Sequence, residues 1–504
     1  MLKKTIYFIV CLLGWPLGVL ADAMTYQADR LEGGVVNDKP CKQLEGNVVF
    51  TFHTSGMVLT ADKVYQYDDQ ELIEAQGNVK IVDQQGNIVE STCLTYYLPQ
   101  KRAVFENNVS CTSKKATFYT PKLIYDVEKK QGKFYQGGKL VQDQMVLTSS
   151  MGMYDGARYQ VSFSNKVVLV DPNYTLYCDQ LHYHTESKIA YFQGDTKIIH
   201  QDGVLTTPKG GHYSLPKKQL AFEQGTLTTE DVMLTADRLE IFNGQDCAAT
   251  GHVSLRAQKH DALLVGEKAR YTEKEKKGVI TGDPLLTKVV HDETIYLRAD
   301  TFVVLEKHQK NQPPEQEIHA LHHVRLYQEA LQGVADGAVY NTSKNTIYLH
   351  NKPVIWCSQY QITGEAVHLV IEEAEQVKMF VDRNLFMASA DPVGHYNQVK
   401  GHKMVAFFKD GAIQKMLITG NSESLYFALG DRNELVGMNH IKCDSMEMTM
   451  LDNALAQMTC QPKPLGVFYP AERLEEAQMK LDGFAWHGAQ WPTKATILEP
   501  IAKR

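Results

Sequence analysis

Residues 234–253, LTADRLEIFNGQDCAATGHV, decide how this chain folds. Leu234 and Ala236 share one parity, whereas Leu239 and Ile241 share the other. Side chains alternate faces along a strand, so a flat strand keeps its apolar residues on a single parity. The switch at the Ala236-Asp237 step therefore predicts a bulge or corner, where the strand bends while its apolar side stays inward. LTADKVYQY at 59–67 and LYCDQLHYH at 176–184 repeat the pattern.

The corner recurs. Thr92, Pro121, Ser150, Asp179, Pro208, Asp237 and Gly266 stand 29 residues apart. Asp29 and Asp62 precede this series, and Asp300, Asp336 and Glu365 follow it at spacings of 34, 36 and 29. Three residues before the mark lies an apolar residue in 11 of 12 copies, with Gly333 the exception. Most residues at the mark are bend formers. Four residues after it come Tyr96, Tyr125, Tyr154, Tyr183 and Tyr340, a ladder that would stack copy on copy or simply fill the interior. A fixed period over more than 300 residues means stacked copies of one small unit. Frequent Tyr, Val, Ile, Thr and Phe, alternating over short runs, make those units strands. Gly77-Asn78, Asn107-Asn108, Gly137-Gly138, Gly194-Asp195, Gly251-His252 and Gly282-Asp283-Pro284 read as the turns between them. The expected fold is all-β: an elongated β-jellyroll, or folded-sheet solenoid, of ~29-residue repeats with two strands each.

Composition narrows the function. The chain is 43% hydrophobic and 22% charged, a globular balance. Residues 1–23 have the form of a secretory signal peptide: Lys3 and Lys4, an apolar core from Thr5 to Leu20, then Ala21-Asp22-Ala23. Removing them moves the net charge from −7 to −8, since two lysines and one aspartate are lost. An acidic chain is a poor nucleic-acid partner, and none is expected. Eight cysteines remain without any C-x-x-C, so neither a redox motif nor a zinc knuckle is indicated. Cys443 with Cys460 is the candidate disulfide, with buried free thiols in strands as the alternative.

Catalytic and metal chemistry find no support in the pattern. Asp29, Asp62, Asp179, Asp237, Asp300, Asp336 and Asp444 recur at a corner, whereas a catalytic carboxylate pair occurs once. His182 with His184, and the cluster of His319, His322 and His323, lack Cys or carboxylate partners at fixed spacing. No Walker, G-x-S-x-G or G-x-G-x-x-G motif stands in a suitable context. No catalytic residue, metal or cofactor is expected.

The repeated L-x-A-D-x-h-x-h…G-x-V pattern, as in Leu59–Val64 with Gly77-Asn78-Val79, resembles the OstA/LptA family of lipopolysaccharide transport, most of all its larger OstA-like members. The resemblance covers residues 25–370 well and the rest loosely. It implies a folded jellyroll in the periplasm, with an association to the outer membrane, of a Gram-negative-type bacterium. Its partners would be lipopolysaccharide and related jellyroll domains, joined end to end by strand pairing. Shielding matters because a chain of about twelve methylenes costs roughly 10 kcal/mol to expose, at ~0.8 kcal/mol each. Lipid contact would then fall just past each corner: Val64, Leu94, Leu123, Tyr125, Leu181, Tyr183, Leu239, Ile241, Phe302 and Val367. The alternatives are an exported structural or adhesive β-solenoid with a filled core, and a carbohydrate-active β-helix with one carboxylate cluster.

The expected organisation is a signal peptide at 1–23, regular repeats at 24–310, less regular repeats at 311–461 and a capping tail at 462–504. An exposed loop is expected around Asn311-Gln312-Pro313-Pro314, a short helix at 472–481 and a solvated acidic run at Glu372, Glu373 and Glu375.

Overall fold

The computed structural model describes residues 24–499, apart from 37–38, 54, 68, 70, 114–115, 259–260, 291–292, 308–314, 372–376, 410–411 and 452–453. The expected export segment 1–23, the Asn311–Pro314 loop and the acidic run at 372–375 lie outside the described residues. What is described is almost entirely antiparallel strand. The chain divides into two compact units: residues 1–230 with 235–247, and residues 231–234 with 248–504. The change in regularity expected near residue 310 falls inside the second unit.

Each repeat is two strand passes, and each pass is creased in the middle. In the first unit the strand Val58–Tyr67 pairs on one side with Lys39–Phe52 and on the other with Leu72–Val82. Both ladders break between Thr60 or Ala61 and Lys63, so the Ala61-Asp62 corner is where the sheet folds. The parity switch follows: Leu59 and Ala61 are buried before the crease and Val64 after it. Residues before the mark form one arm of the folded sheet and residues after it the other.

The intervening strand solves the same bend differently. Between Gln76 and Val79 the ladder skips Gly77 and Asn78, which have φ of 71° and 41°. Two consecutive left-handed residues also crease the passes at Asn107-Asn108, Asn165-Lys166, His322-His323, Asn351-Lys352, Arg383-Asn384 and Gly420-Asn421. The expectation that Gly-Asn pairs mark hairpin turns is therefore corrected. Gly77-Asn78, Asn107-Asn108 and Gly251-His252 lie inside continuous strands, at the fold line. Side chains at the mark hold them there. Asn78 Nδ2 donates to Asp62 Oδ2 at 2.9 Å, and Asn47 Nδ2 to Asp29 Oδ2 at 2.9 Å. The backbone N–H of Asp29, Ser150, Asp300, Asp336 and Glu365 donates to the carbonyl of the first left-handed residue opposite.

The hairpin turns at the rim of the second arm carry a different signature. Lys101, Lys130, Lys188, Lys218 and Lys276 sit there at positive φ. Turn stacks on turn, since Val127 N donates to Lys101 O, Gly156 N to Lys130 O and Leu215 N to Lys188 O.

The expected capping tail starts as the strand Leu465–Pro470, paired with Leu435–Leu451, and only beyond residue 470 leaves the sheet. It runs back along the outer face of the first arm of the second unit. Its 472–481 stretch forms two single turns of 3-10 helix, Ala471–Arg473 and Glu476–Gln478, instead of one helix. Gln398 Nε2 donates to Met479 O and its Oε1 accepts from Leu481 N, both at 2.9 Å. Gln361 repeats this with Ala485 O at 2.8 Å and His487 N at 2.6 Å, and Trp491 Nε1 donates to Gln332 Oε1 at 2.9 Å. Gln332, Gln361 and Gln398 each stand four residues before a mark (Asp336, Glu365 and His402), so one outward repeat position secures the whole segment. Trp491 stacks on buried Trp356 with centroids 5.9 Å apart.

Candidate functional site

The crease turns apolar residues of both arms to one interior, and strand pairing lines them up. In the first unit one row of cross-strand neighbours runs Leu44, Val64, Ala75, Leu94, Phe105 and Leu123. Further along, Phe134, Gly152, Phe163, Leu181, Phe192, Gly211 and Phe222 form another. Glycine faces phenylalanine there because nothing larger fits: a Cβ on Gly152 would stand 2.3 Å from the Phe134 ring. In the second unit the corresponding row is Phe302, Ala320, Ala338, Leu349, Val367, Val381, Met404, Ile418, Met446 and Cys460.

Nine of the ten residues expected just inside the corner are buried: Val64, Leu94, Leu123, Tyr125, Leu181, Tyr183, Leu239, Phe302 and Val367. Ile241 is partly exposed. Burial, followed by the neighbouring Tyr154 hydroxyl, pushes the Tyr125 phenol up, so rungs of the tyrosine ladder in adjacent copies sense each other.

Around Phe118 and Phe134 the first unit's interior is tightly filled. Phe118 on one arm meets Phe134 on the other at 5.0 Å, and the gap among Phe118, Leu123, Leu140, Met153 and Phe163 is an apolar void of about 30 Å³. That is room for about one water, and an apolar void of this size stays dry. In the second unit buried residues of both arms, from Leu264 to Met450, belong to one apolar cluster. Its last repeats part, leaving a cavity of about 320 Å³ bordered by Tyr360, Met387, Val399 and Ser424 on one arm and Met448, Leu455 and Met458 on the other, with a polar mouth at Ser389, Asp391 and Asn397.

The histidines and carboxylates have local structural partners. His182 Nδ1 lies 2.9 Å from Ser162 Oγ and its Nε2 lies 3.1 Å from Gln180 Oε1, while His184 Nδ1 accepts from Ser187 N. His319 Nε2 lies 3.0 Å from Glu317 Oε2. His323 Nδ1 lies 2.9 Å from Asp300 Oδ2, and His322 Nδ1 lies 3.4 Å from Asp336 Oδ1. The latter two are a crease pair docked on the marks of both neighbouring copies. Cys443 and Cys460 are both free thiols, as are the other described cysteines. Burial pushes the Cys111, Cys178, Cys247 and Cys357 thiols up to about 12, and burial with the adjacent Cys443 takes Cys460 to about 11. Cys111, Cys178, Cys247 and Cys357, held so high, are inert.

Two features escaped the sequence reading. Nine of the 17 methionines fall between Met379 and Met458, a visible concentration that periodicity alone did not flag. The recurrence of glutamine four residues before three successive marks was equally visible and marks the seat of the C-terminal segment.

Creased antiparallel repeats around an apolar interior define the class: a jellyroll-type β-solenoid. Known families agree with it. The family described as OstA-like protein matches residues 23–179 and 153–237. The family described as LptA/(LptD N-terminal domain) LPS transport protein matches residues 264–376. The chain belongs to the OstA/LptA-like family of lipopolysaccharide-transport proteins. Among solved structures it is similar to LptH, the LptA-homologous periplasmic component of the lipopolysaccharide transport device of Pseudomonas aeruginosa. The two are 20% identical over 21% of this chain and 77% of that one, with a TM-score of 0.18. The extracellular domain of the one-component system BT4673 from B. thetaiotaomicron is 7% identical over 87% of this chain and 92% of that one, with a TM-score of 0.08. No curated protein matches the chain significantly.

Proposed function

We propose that this chain is a non-enzymatic periplasmic carrier that shields lipopolysaccharide acyl chains between the arms of its folded sheet on the way to the outer membrane. The observation that carries this reading is the unbroken in-register apolar row, Phe302 to Cys460, which continues strand after strand inside the crease. An enzyme core needs no such translation; a path for a long apolar ligand does. Residues 1–23 act as the cleaved export signal. Val64, Leu94, Leu123, Tyr125, Leu181, Tyr183, Leu239, Ile241, Phe302 and Val367 form the lipid-facing wall once the arms separate. Separation exchanges side-chain contacts for acyl contacts of similar apolarity, so burial is conserved.

Related jellyroll domains join by strand addition at the open edges. Among the described residues Met24–Gln27 and Arg30–Val36 pair only with Lys39–Phe52, and Leu465–Pro470 pairs only with Leu435–Leu451. Leu465 and Phe468 are 66% and 53% exposed there, which suits β-augmentation.

The contact of the two arms at Phe118 and Phe134 in the first unit favours one competing reading, a ligand-free structural solenoid. Photo-crosslinking residues at Leu123 and Leu181 separate the two. The carrier captures lipopolysaccharide in cells at both positions and not at outward Lys122, which is ion-paired with Glu106 at 2.6 Å. Capture at Lys122 alone, or at none of them, rejects the carrier.

A further inference from the structure

Along the inner face of the second arm, a second row of cross-strand neighbours changes character. It begins Val304, Ile318, Tyr340, Ile347 and Leu369, then continues Met379, Ala406, Met416, Met448 and Met458. Branched and aromatic side chains hold one shape. Methionine, unbranched and polarisable, repacks around whatever enters. Met448 and Met458 of this row, with Met387 of the facing arm, border the place where the arms part, at the cavity of about 320 Å³. That volume lies at the lower end of the ~300–1,000 Å³ of small-molecule pockets. It matches one chain of about ten methylenes, each close in size to the ~30 Å³ of a water molecule.

The facing row on the first arm supplies a polar anchor. It runs Leu297, Leu326, Gly333, Ile355, Ile362, Met387, Val399, Ser424, Ile441 and Gly466. Ser424 is a hydroxyl inside an apolar row. It is 2% exposed, it borders the cavity, and its Oγ has no hydrogen-bond partner. A buried hydroxyl left unpaired is unfavourable, and a ligand carbonyl or carboxylate in the cavity would relieve it.

We propose that the last repeats of the second unit hold one fatty-acyl chain between Met387 and Met458, with the Ser424 hydroxyl donating to its carbonyl oxygen. This inference rests on the carrier reading and locates its resident, adaptable pocket in the C-terminal repeats.

Dodecanoic acid and dansyl-labelled undecanoic acid serve as probes on the purified chain. One molecule of the dansyl probe is expected to bind per chain with a blue-shifted emission. Met458→Trp, which fills the cavity, should weaken binding at least tenfold, and Ser424→Ala about fivefold, with far-UV circular dichroism unchanged. Saturating dodecanoic acid should also slow peroxide oxidation of Met448 and Met458 in the unaltered protein at least fivefold, with Met151 as the unaffected reference. This arm needs no substitution, so a variant that fails to fold does not leave the matter open.

Failure to bind, binding indifferent to both substitutions, or oxidation of Met458 unaffected by the fatty acid overturns the proposal. So does protection of Met458 that rises with protein concentration alone, which would assign the cavity to a second copy of the chain. Lipopolysaccharide capture at Leu123 keeps the two levels apart. Capture there without fatty-acid binding sinks this pocket and leaves the carrier standing, whereas fatty-acid binding without capture does the reverse.

Discussion

Replacing Gly77 with alanine tests the crease directly. Gly77 has φ of 71°, and an alanine Cβ there would stand 2.3 Å from Asp62 Oδ2. Holding a non-glycine residue in the left-handed region costs about 1–2 kcal/mol. The Asp62 carboxylate must also swing away and release the 2.9 Å hydrogen bond from Asn78, at about 1 kcal/mol. The expected loss is about 2–3 kcal/mol, confined to the neighbouring passes because repeat arrays open locally. Amide hydrogen exchange along Leu72–Val82 should therefore accelerate about 30- to 150-fold, at 1.4 kcal/mol per tenfold. In an Asp62→Ala background the same change should lose only its backbone part, a coupling of about 1 kcal/mol in the double-mutant cycle. An effect below about 0.5 kcal/mol, or one identical in both backgrounds, would refute the role assigned to the marked aspartate.

Gln361→Leu removes both hydrogen bonds to Ala485 and His487, leaving two backbone groups unpaired at about 1–3 kcal/mol each. Limited proteolysis should then cut between residues 471 and 499 while the repeats stay intact; an unchanged digestion pattern would count against the glutamine anchor. Glu423 gives a pH signature. Burial by itself would raise its pKa, but hydrogen bonds from Lys400, Lys442 and His440 outweigh that and hold it at about 2. A carboxylate depressed in the folded state adds stability above its unfolded value, near 4.5, and loses it as pH falls towards 2. The contribution is on the order of 3 kcal/mol, at 1.36 kcal/mol per unit. Urea midpoints of wild type and Glu423→Gln should converge between pH 4.5 and 2, and parallel curves would contradict this. Finally, we propose that the adjacent thiols Cys443 and Cys460 join on export by exchange with a disulfide-bearing oxidant, which leaves as its dithiol. Non-reducing peptide mapping should recover their two peptides linked, and free thiols at both positions would exclude the bond.

The crease was legible because it leaves a parity signature: Leu59 and Ala61 against Val64 cannot share a face unless the strand turns over. Its other half was misread. Gly-Asn usually announces a hairpin, and only the paired strands on both sides reveal that Gly77 and Asn78 bend a strand that continues. The true turns were hidden for the opposite reason, since Lys101, Lys188 and Lys218 occupy left-handed positions that lysine does not advertise. Alternation put nine of the ten residues just past the corners inside, all but Ile241, because it reports direction and not depth. Whether opposing arms touch, as at Phe118 and Phe134, or part, as at Met387 and Met458, depends on side-chain volumes summed across passes far apart in sequence. The C-terminal segment was opaque for a related reason. Its anchors, Gln332, Gln361 and Gln398, lie 81 to 159 residues upstream of the groups they bind.

Left-handed residues at the fold lines, often in pairs, impose a punctuation rule on how this chain can change in length. Losing a single residue between a fold line and the nearest rim would turn all side chains beyond it inside out. Deleting or duplicating a whole two-strand module would leave every remaining face as it was. Relatives of this chain are therefore expected to differ by entire modules, with stray extra residues confined to the rims, where no alternation has to be kept.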